Sequence, residues 1–127
     1  MLGKIREGSF CKSGIERIVI PKGVEEIEES VFCQCKGLTE VVFEDGSQLK
    51  KIGAWAFRGT RVESVAIPNS VVEIQDSALR DCKNLKEVVF EAGSVLKKIG
   101  NRAFYDCTSL RNILFPDGLE TIGTICF

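Results

Sequence analysis

The chain has 127 residues, 17 Lys plus Arg against 18 Asp plus Glu, six Cys and no His. Such a length fits one compact domain or a short repeat array, and a formal charge of −1 lacks the footprint of a nucleic-acid or anionic-membrane binder. Without His there are no His-dependent triads, imidazole acid–base steps or His-ligated metals.

The N-terminal stretch MLGKIREGSF carries neither the apolar region nor the small-residue cleavage site of a secretory signal. No stretch approaches the roughly 18 consecutive apolar residues of a membrane-spanning helix. Self-similarity then organises everything that follows. The segment Val24 to Gly59 recurs 47 positions later as Val71 to Asp106, and FEDGSQLKKIGAWAF matches FEAGSVLKKIGNRAF. Each block divides again, because Ile5, Ile27, Ile52, Ile74, Ile99 and Ile122 recur at intervals of 22, 25, 22, 25 and 23. Five residues after each stands Phe10, Phe32, Phe57, Leu79, Phe104 or Phe127.

A period in the low twenties is too short for a helix pair and suits one coil of a solenoid with a strand and a tight return. The coils read as 1–23, 24–48, 49–70, 71–95 and 96–118, with a partial coil at 119–127. Within each, a short extended segment (VEEI, LKKI, VVEI, LKKI, LETI) leads into a tight or 3₁₀ turn such as GAWAFRG. A main strand follows, as in LTEVVF and LKEVVF, whose period-2 spacing points Val41 and Phe43 inward and Glu40 and Val42 outward. Turns at IPKG, FEDGSQ, IPNS, FEAGSV and FPDG close each coil. All eight Phe fall in two of the repeated columns, which makes them core residues.

The run IGNRAFYDCTSLRNILFPDG, from Ile99 to Gly118, resembles the leucine-rich repeat family, in particular its BspA-like branch, and the likeness extends from Ile5 to Phe127. Departures are Leu79 in place of Phe, the missing Cys in the GTRVESV coil, and EDGSQ and EAGSV in place of a Pro turn. The resemblance implies a right-handed β-rich solenoid with a parallel concave sheet, short convex strands and 3₁₀ turns. It also implies a non-enzymatic protein-binding or adhesion module at the cell surface or secreted. No catalytic residue, metal or cofactor is expected, and each carboxylate and Lys occupies a repeated surface position with no convergent cluster.

On the expected concave sheet the outward row Val19, Val42, Ala66, Val89, Leu114 is apolar throughout. The row before it reads Arg17, Glu40, Ser64, Glu87, Asn112, and the row after it Pro21, Glu44, Pro68, Glu91, Pro116. This stripe, with Glu40, Glu87 and Asn112 beside it, is the expected contact area for a protein or other macromolecular partner; the plain alternative is the preference of β-branched residues for sheets. Nucleic acid and membrane insertion are not expected.

The charge column Glu26, Lys51, Glu73, Lys98 alternates in sign and is assigned to register and solubility. Trp55 and Tyr105 stand outside the core columns, open to a partner contact or to packing on the outer face. Cys35, Cys82 and Cys107 each precede the Leu column by three residues and read as a ladder of buried thiols. Cys35 and Cys82, two coils apart, are too distant to bridge, whereas Cys82 with Cys107 and Cys11 with Cys33 fall within reach. Cys33 and Cys35 lack the further ligands of a zinc site. No polar segment covers either end, so the array is expected to be cut from a longer protein or to associate end to end as a scaffold.

Overall fold

The computed structural model describes residues 4–5, 10 and 14–127. They form a helix-free parallel β-solenoid of eleven strands, numbered β1 to β11 in chain order. Its main sheet is built from β2 (Arg17–Ile20), β4 (Glu40–Phe43), β6 (Ser64–Ile67), β8 (Glu87–Phe90) and the shorter β10 (Asn112–Ile113). The back sheet stacks β1 (Lys4–Ile5), β3 (Glu26–Ile27), β5 (Lys51–Ile52), β7 (Glu73–Ile74), β9 (Lys98–Ile99) and β11 (Thr121–Ile122) in sequence order. Each winding therefore contributes one strand to each sheet, and every pairing is parallel.

The repeated columns close on one interior. Ile27, Ile52, Ile74 and Ile99 are fully buried from the back sheet, while Leu38, Val62 and Leu85 are buried ahead of the main strands. Between them Phe32, Phe57 and Phe104 fill the middle of the core. Phe10 stacks on Phe32 at 5.4 Å and Phe32 on Phe57 at 5.2 Å, with near-parallel rings. Leu79 takes the next slot, fully buried, and interrupts the aromatic column before Phe104. The second Phe column is less enclosed than the periodicity predicts: Phe43, Phe90 and Phe115 are only half-buried. Ile20 and Ile67 disappear completely into the equivalent slot at the strand exit, and a phenyl ring there is large enough to reach past the edge of the core. Phe127, on the last winding, remains 55% exposed.

The tight return after each back strand runs as linked turns with i→i+3 hydrogen bonds. In one winding Ala56 donates to Gly53, Arg58 to Trp55 and Thr60 to Phe57. Left-handed residues punctuate the series two positions before and after the aromatic column: Trp55 (φ 63°) and Gly59 (φ 73°), Ser77 (φ 58°) and Asp81 (φ 63°), Arg102 (φ 56°) and Asp106 (φ 61°). These positive angles prevent the 3₁₀ bonds from propagating into a helix.

The 47-residue period has a structural basis in pairs of windings. Pro68 follows β6 and has no N–H, whereas Glu44 and Glu91, at the equivalent positions, donate to Ile20 and Ile67 of the preceding strands. The main sheet is divided into β2–β4 and β6–β8–β10, with no ladder joining β4 to β6, although β10, which Pro116 follows in the same way, pairs with β8. Side-chain contacts also recur at every second winding, at one set of junctions in the main sheet and at the alternate set in the back sheet. Glu44 Oε1 accepts from the Lys22 N–H at 2.9 Å and Glu91 Oε1 from the Asn69 N–H at 3.1 Å. On the back sheet Lys51 pairs with Glu26 at 3.3 Å and Lys98 with Glu73 at 4.0 Å. Gly53 and Gly100 lie so close to the preceding winding that a Cβ on Gly53 would stand 2.7 Å from the Ile27 and Glu28 backbone, and one on Gly100 would meet Asp76. Gln75, at the same position in the intervening winding, bears a full side chain.

Phe57 is 2% exposed and stacked on its neighbour. Truncation to Ala is expected to cost about 3–5 kcal/mol, measured as the loss of unfolding free energy in urea. A cost below about 1 kcal/mol would show that the column does not hold the windings together.

Candidate functional site

Each expected contact residue lies on the outer face of the main sheet or just beyond it. Parallel register places Val19 beside Val42 and Arg17 beside Glu40. It likewise sets Ala66 beside Val89, and Glu87 between Ser64 and Asn112. Val19 is 41% exposed, Val89 44% and Leu114 87%; Ala66 is exposed and Val42 half-buried. Leu114 falls past the end of β10 and is the least supported of the row. Glu87, Val89, Asn112 and Leu114 share a concavity of about 450 Å³ with Arg111.

The electrostatics of this face are uneven. Glu40 is tied to Arg17, Nε to Oε1, at 2.9 Å across the strand pair, and both groups are more than half exposed, so the pair contributes little stability. Glu44 and Glu91 each spend one carboxylate oxygen on a backbone N–H of the previous winding. Across the three outward rows, four Glu stand against the single Arg17. An apolar strip bordered by carboxylates is the result.

Beneath the other edge, the thiol column is explained by hydrogen bonding. Cys35 Sγ donates to the Phe10 carbonyl at 2.8 Å, Cys82 Sγ to Phe57 at 3.1 Å and Cys107 Sγ to Leu79 at 3.0 Å. Thr60 occupies the same position in the winding that lacks Cys; it is 2% exposed and its Oγ1 lies 3.4 Å from Cys82 Sγ. Counting from the Phe column, with its constant spacing of three, would have found Thr60; counting back from the Leu column misses it because that loop is one residue shorter. Cys82, Cys107 and Cys126 carry free thiols. The Cys11–Cys33 pairing lies outside the described residues. The neighbouring Cys107 thiol holds Cys82 below the ordinary thiol value, and the same contact together with burial pushes Cys107 above it. Burial also raises Cys126. Among the described residues no group of three potential metal ligands comes together.

Trp55 and Tyr105 are half-buried and act as platforms for guanidinium groups, Arg58 from the same turn as Trp55 and Arg80 from the winding between the two rings. Arg58 lies 4.9 Å and Arg80 5.5 Å from the Trp55 ring centroid, and Arg80 lies 5.0 Å from that of Tyr105. Asp81 completes the cluster, 3.2 Å from Arg58 Nε. The packing alternative for these two aromatics is the one observed. The Arg80 partner could not be anticipated from residue type alone, because it stands 25 residues from each ring, on another winding.

Comparison with known proteins agrees with this architecture. The BspA type leucine-rich repeat region matches residues 3–127 in six copies. Among solved structures, the pneumococcal vaccine antigen PcpA superposes with a TM-score of 0.77 at 31% identity, covering 85% of this chain and 26% of that one. A leucine-rich cell surface protein from Faecalibacterium prausnitzii gives 0.64 at 28% identity, covering 98% and 39% respectively. A leucine-rich repeat protein from Bacteroides ovatus, at 22% identity and a TM-score of 0.50, shares the fold. The chain thus spans half or less of the solved relatives it matches. No curated protein matches it.

The raised Cys126 thiol gives an expected pH response. Cys126 favours the protonated form when folded, so its contribution is intact below the ordinary thiol value of 9.0 and is lost as pH rises above it, where the unfolded chain ionises first. At pH 8, iodoacetamide should alkylate the fully buried Cys82 at least about tenfold more slowly in the native chain than in denaturing urea, because burial denies the reagent access, as followed by mass spectrometry. Equal rates would show that the column is open to solvent.

Proposed function

We propose, for a chain that belongs to the BspA-type leucine-rich repeat family, a non-enzymatic role in binding a protein or other macromolecular partner through the outer face of its main sheet. The observation that carries this reading is the exposed apolar row of Val19, Val89 and Leu114, with Val42 and Ala66 continuing it, bordered by Glu40, Glu87 and Asn112. Isolated exposed apolar residues are ordinary, but an apolar row carried by two hydrogen-bonded strand sets, Val19 beside Val42 and Ala66 beside Val89, is a feature of contact surfaces. Strands fix the spacing of that row, so a partner would meet a rigid surface and lose little to ordering it. Surface location and adhesion are part of the same proposal. They draw support from relatives described as a vaccine antigen and a cell surface protein.

A second reading is self-association into a scaffold, in which another copy packs against the apolar face of a winding. Phe127 is 55% and Ile122 46% exposed, and Phe104, Leu110, Ile113 and Phe127 border a concavity of about 330 Å³. Such an apolar face could seat another copy.

One experiment separates the two. The double substitution Val42→Lys and Val89→Lys places cations in the row without touching the interior. It should weaken binding to a partner recovered from host-surface material at least about tenfold by surface plasmon resonance, while leaving the molar mass from light scattering unchanged. Unchanged affinity would retire the main-sheet reading. Concentration-dependent growth in mass, abolished by Phe127→Lys, would favour the scaffold.

A further inference from the structure

Charged side chains on this solenoid are generally arranged to offset one another. The back-sheet column alternates Glu26, Lys51, Glu73, Lys98, and Arg17–Glu40, Lys86–Glu63 and Lys97–Glu120 pair across adjacent windings. One column departs from this arrangement. Four residues after Phe32, Phe57 and Leu79 stand Lys36, Arg61 and Lys83, three cations on successive windings. All three are exposed, and among the described residues none of them makes an ion pair. Backbone bonds from Gln34 to Arg58 and from Gly59 to Arg80 hold these turns in register, at about the 4.8 Å spacing of paired strands. Like charges held side by side repel, so the column opposes the stacking that the rest of the molecule promotes.

The same three residues surround a concavity of about 410 Å³ whose lining includes Gly59 and Asn84. Its shape follows from the sequence. The loop Phe57 to Val62 is one residue shorter than Phe32 to Leu38 or Leu79 to Leu85, which recesses it between its neighbours. Gly59, at φ 73°, leaves bare the position where the adjacent windings carry Gln34 and Asp81. Asp81 also borders the recess, but its carboxylate lies 3.2 Å from Arg58 Nε and 4.0 Å from Arg80 Nε. Two arginines thus hold that carboxylate, and among the described residues the three cations lining the recess make no ion pair.

We propose that this recess is an oxyanion-binding site, taking a ligand with a row of sulfate or phosphate groups laid along the stack axis. Arg61, in the middle, offers a planar fork suited to two oxygens of one group, while Lys36 and Lys83 supply point charges on either side. No aromatic ring borders the recess, so it lacks the stacking platform of a single-stranded nucleic-acid site. The site lies off the outer face of the main sheet and does not depend on the role proposed for it.

The test is isothermal titration of the chain with sodium tripolyphosphate and, separately, with sucrose octasulfate, each at low and high salt. Saturable one-to-one binding of at least one probe is expected, weaker at high salt, and the probe that binds identifies the oxyanion. The triple variant Lys36→Ala, Arg61→Ala, Lys83→Ala should lose at least about tenfold in affinity, as expected when charge-assisted contacts are removed. A control triple, Lys22→Ala, Lys50→Ala, Lys97→Ala, removes the same charge elsewhere and should bind as the native chain does. Relief of repulsion should leave the first triple melting no lower than the native chain; Arg61→Gln alone, expected to weaken binding, serves should the triple fail to fold. Failure of both probes to bind, or equal losses in the two triples, would overturn the site.

Discussion

Each winding of this solenoid buries its Ile, Val, Leu and Phe side chains only because another winding lies against it. A single winding offers one isoleucine from a two-residue strand, one aromatic and a few aliphatic groups, far too little to offset the conformational entropy of about twenty ordered residues. Stability is consequently a sum of contacts between neighbours. The exposure gradient fits: Ile52, Ile74 and Ile99 are fully enclosed, while Ile122 on the last winding is 46% exposed. The rigid spacing that makes this burial work also lines up outward side chains at regular intervals, and both surfaces considered above arise from that alignment.

Stacking is continuous in the back sheet and broken once in the main sheet, between β4 and β6. Glutamates at positions 44 and 91 provide an N–H to the preceding strand and a carboxylate to the preceding turn, whereas Pro68 provides neither. Glycine at 53 and 100 permits close backbone approach in the back sheet at the alternate junctions, between windings 24–48 and 49–70 and between 71–95 and 96–118, and Gly123 does so at the following one. The doubled period thus reflects side chains that recur every second winding, without any difference in topology. The aromatic column is divided as well, by Leu79 between Phe57 and Phe104.

The architecture was largely legible in the sequence because burial repeats. Ile27, Ile52, Ile74 and Ile99 announce one buried column, and the period-2 pattern separates inward from outward residues fully at Ser64–Ile67, whereas at Glu40–Phe43 Val42 and Phe43 are both half-buried. Half-burial of Phe43 and Phe90 was not legible, since periodicity gives direction but not the depth of a slot. Nor was the cluster of Trp55 with Arg58 and Arg80, or the role of Thr60, because these depend on how neighbouring loops of unequal length align. The outward row of Val19, Val42, Ala66, Val89 and Leu114 could be read directly as a face. What it meets could not, because a partner's chemistry leaves no periodic mark on the chain.

Nearest-neighbour coupling can be measured by a double-mutant cycle on the aromatic column, read from urea unfolding. Phe32 and Phe57 are stacked at 5.2 Å, so Phe32→Leu and Phe57→Leu should couple by about 0.5–1.5 kcal/mol. Phe57→Leu with Phe104→Leu, separated by Leu79, should be additive within about 0.5 kcal/mol. Additivity in the first cycle, or strong coupling in the second, would contradict a stack whose windings are stabilised by their immediate neighbours.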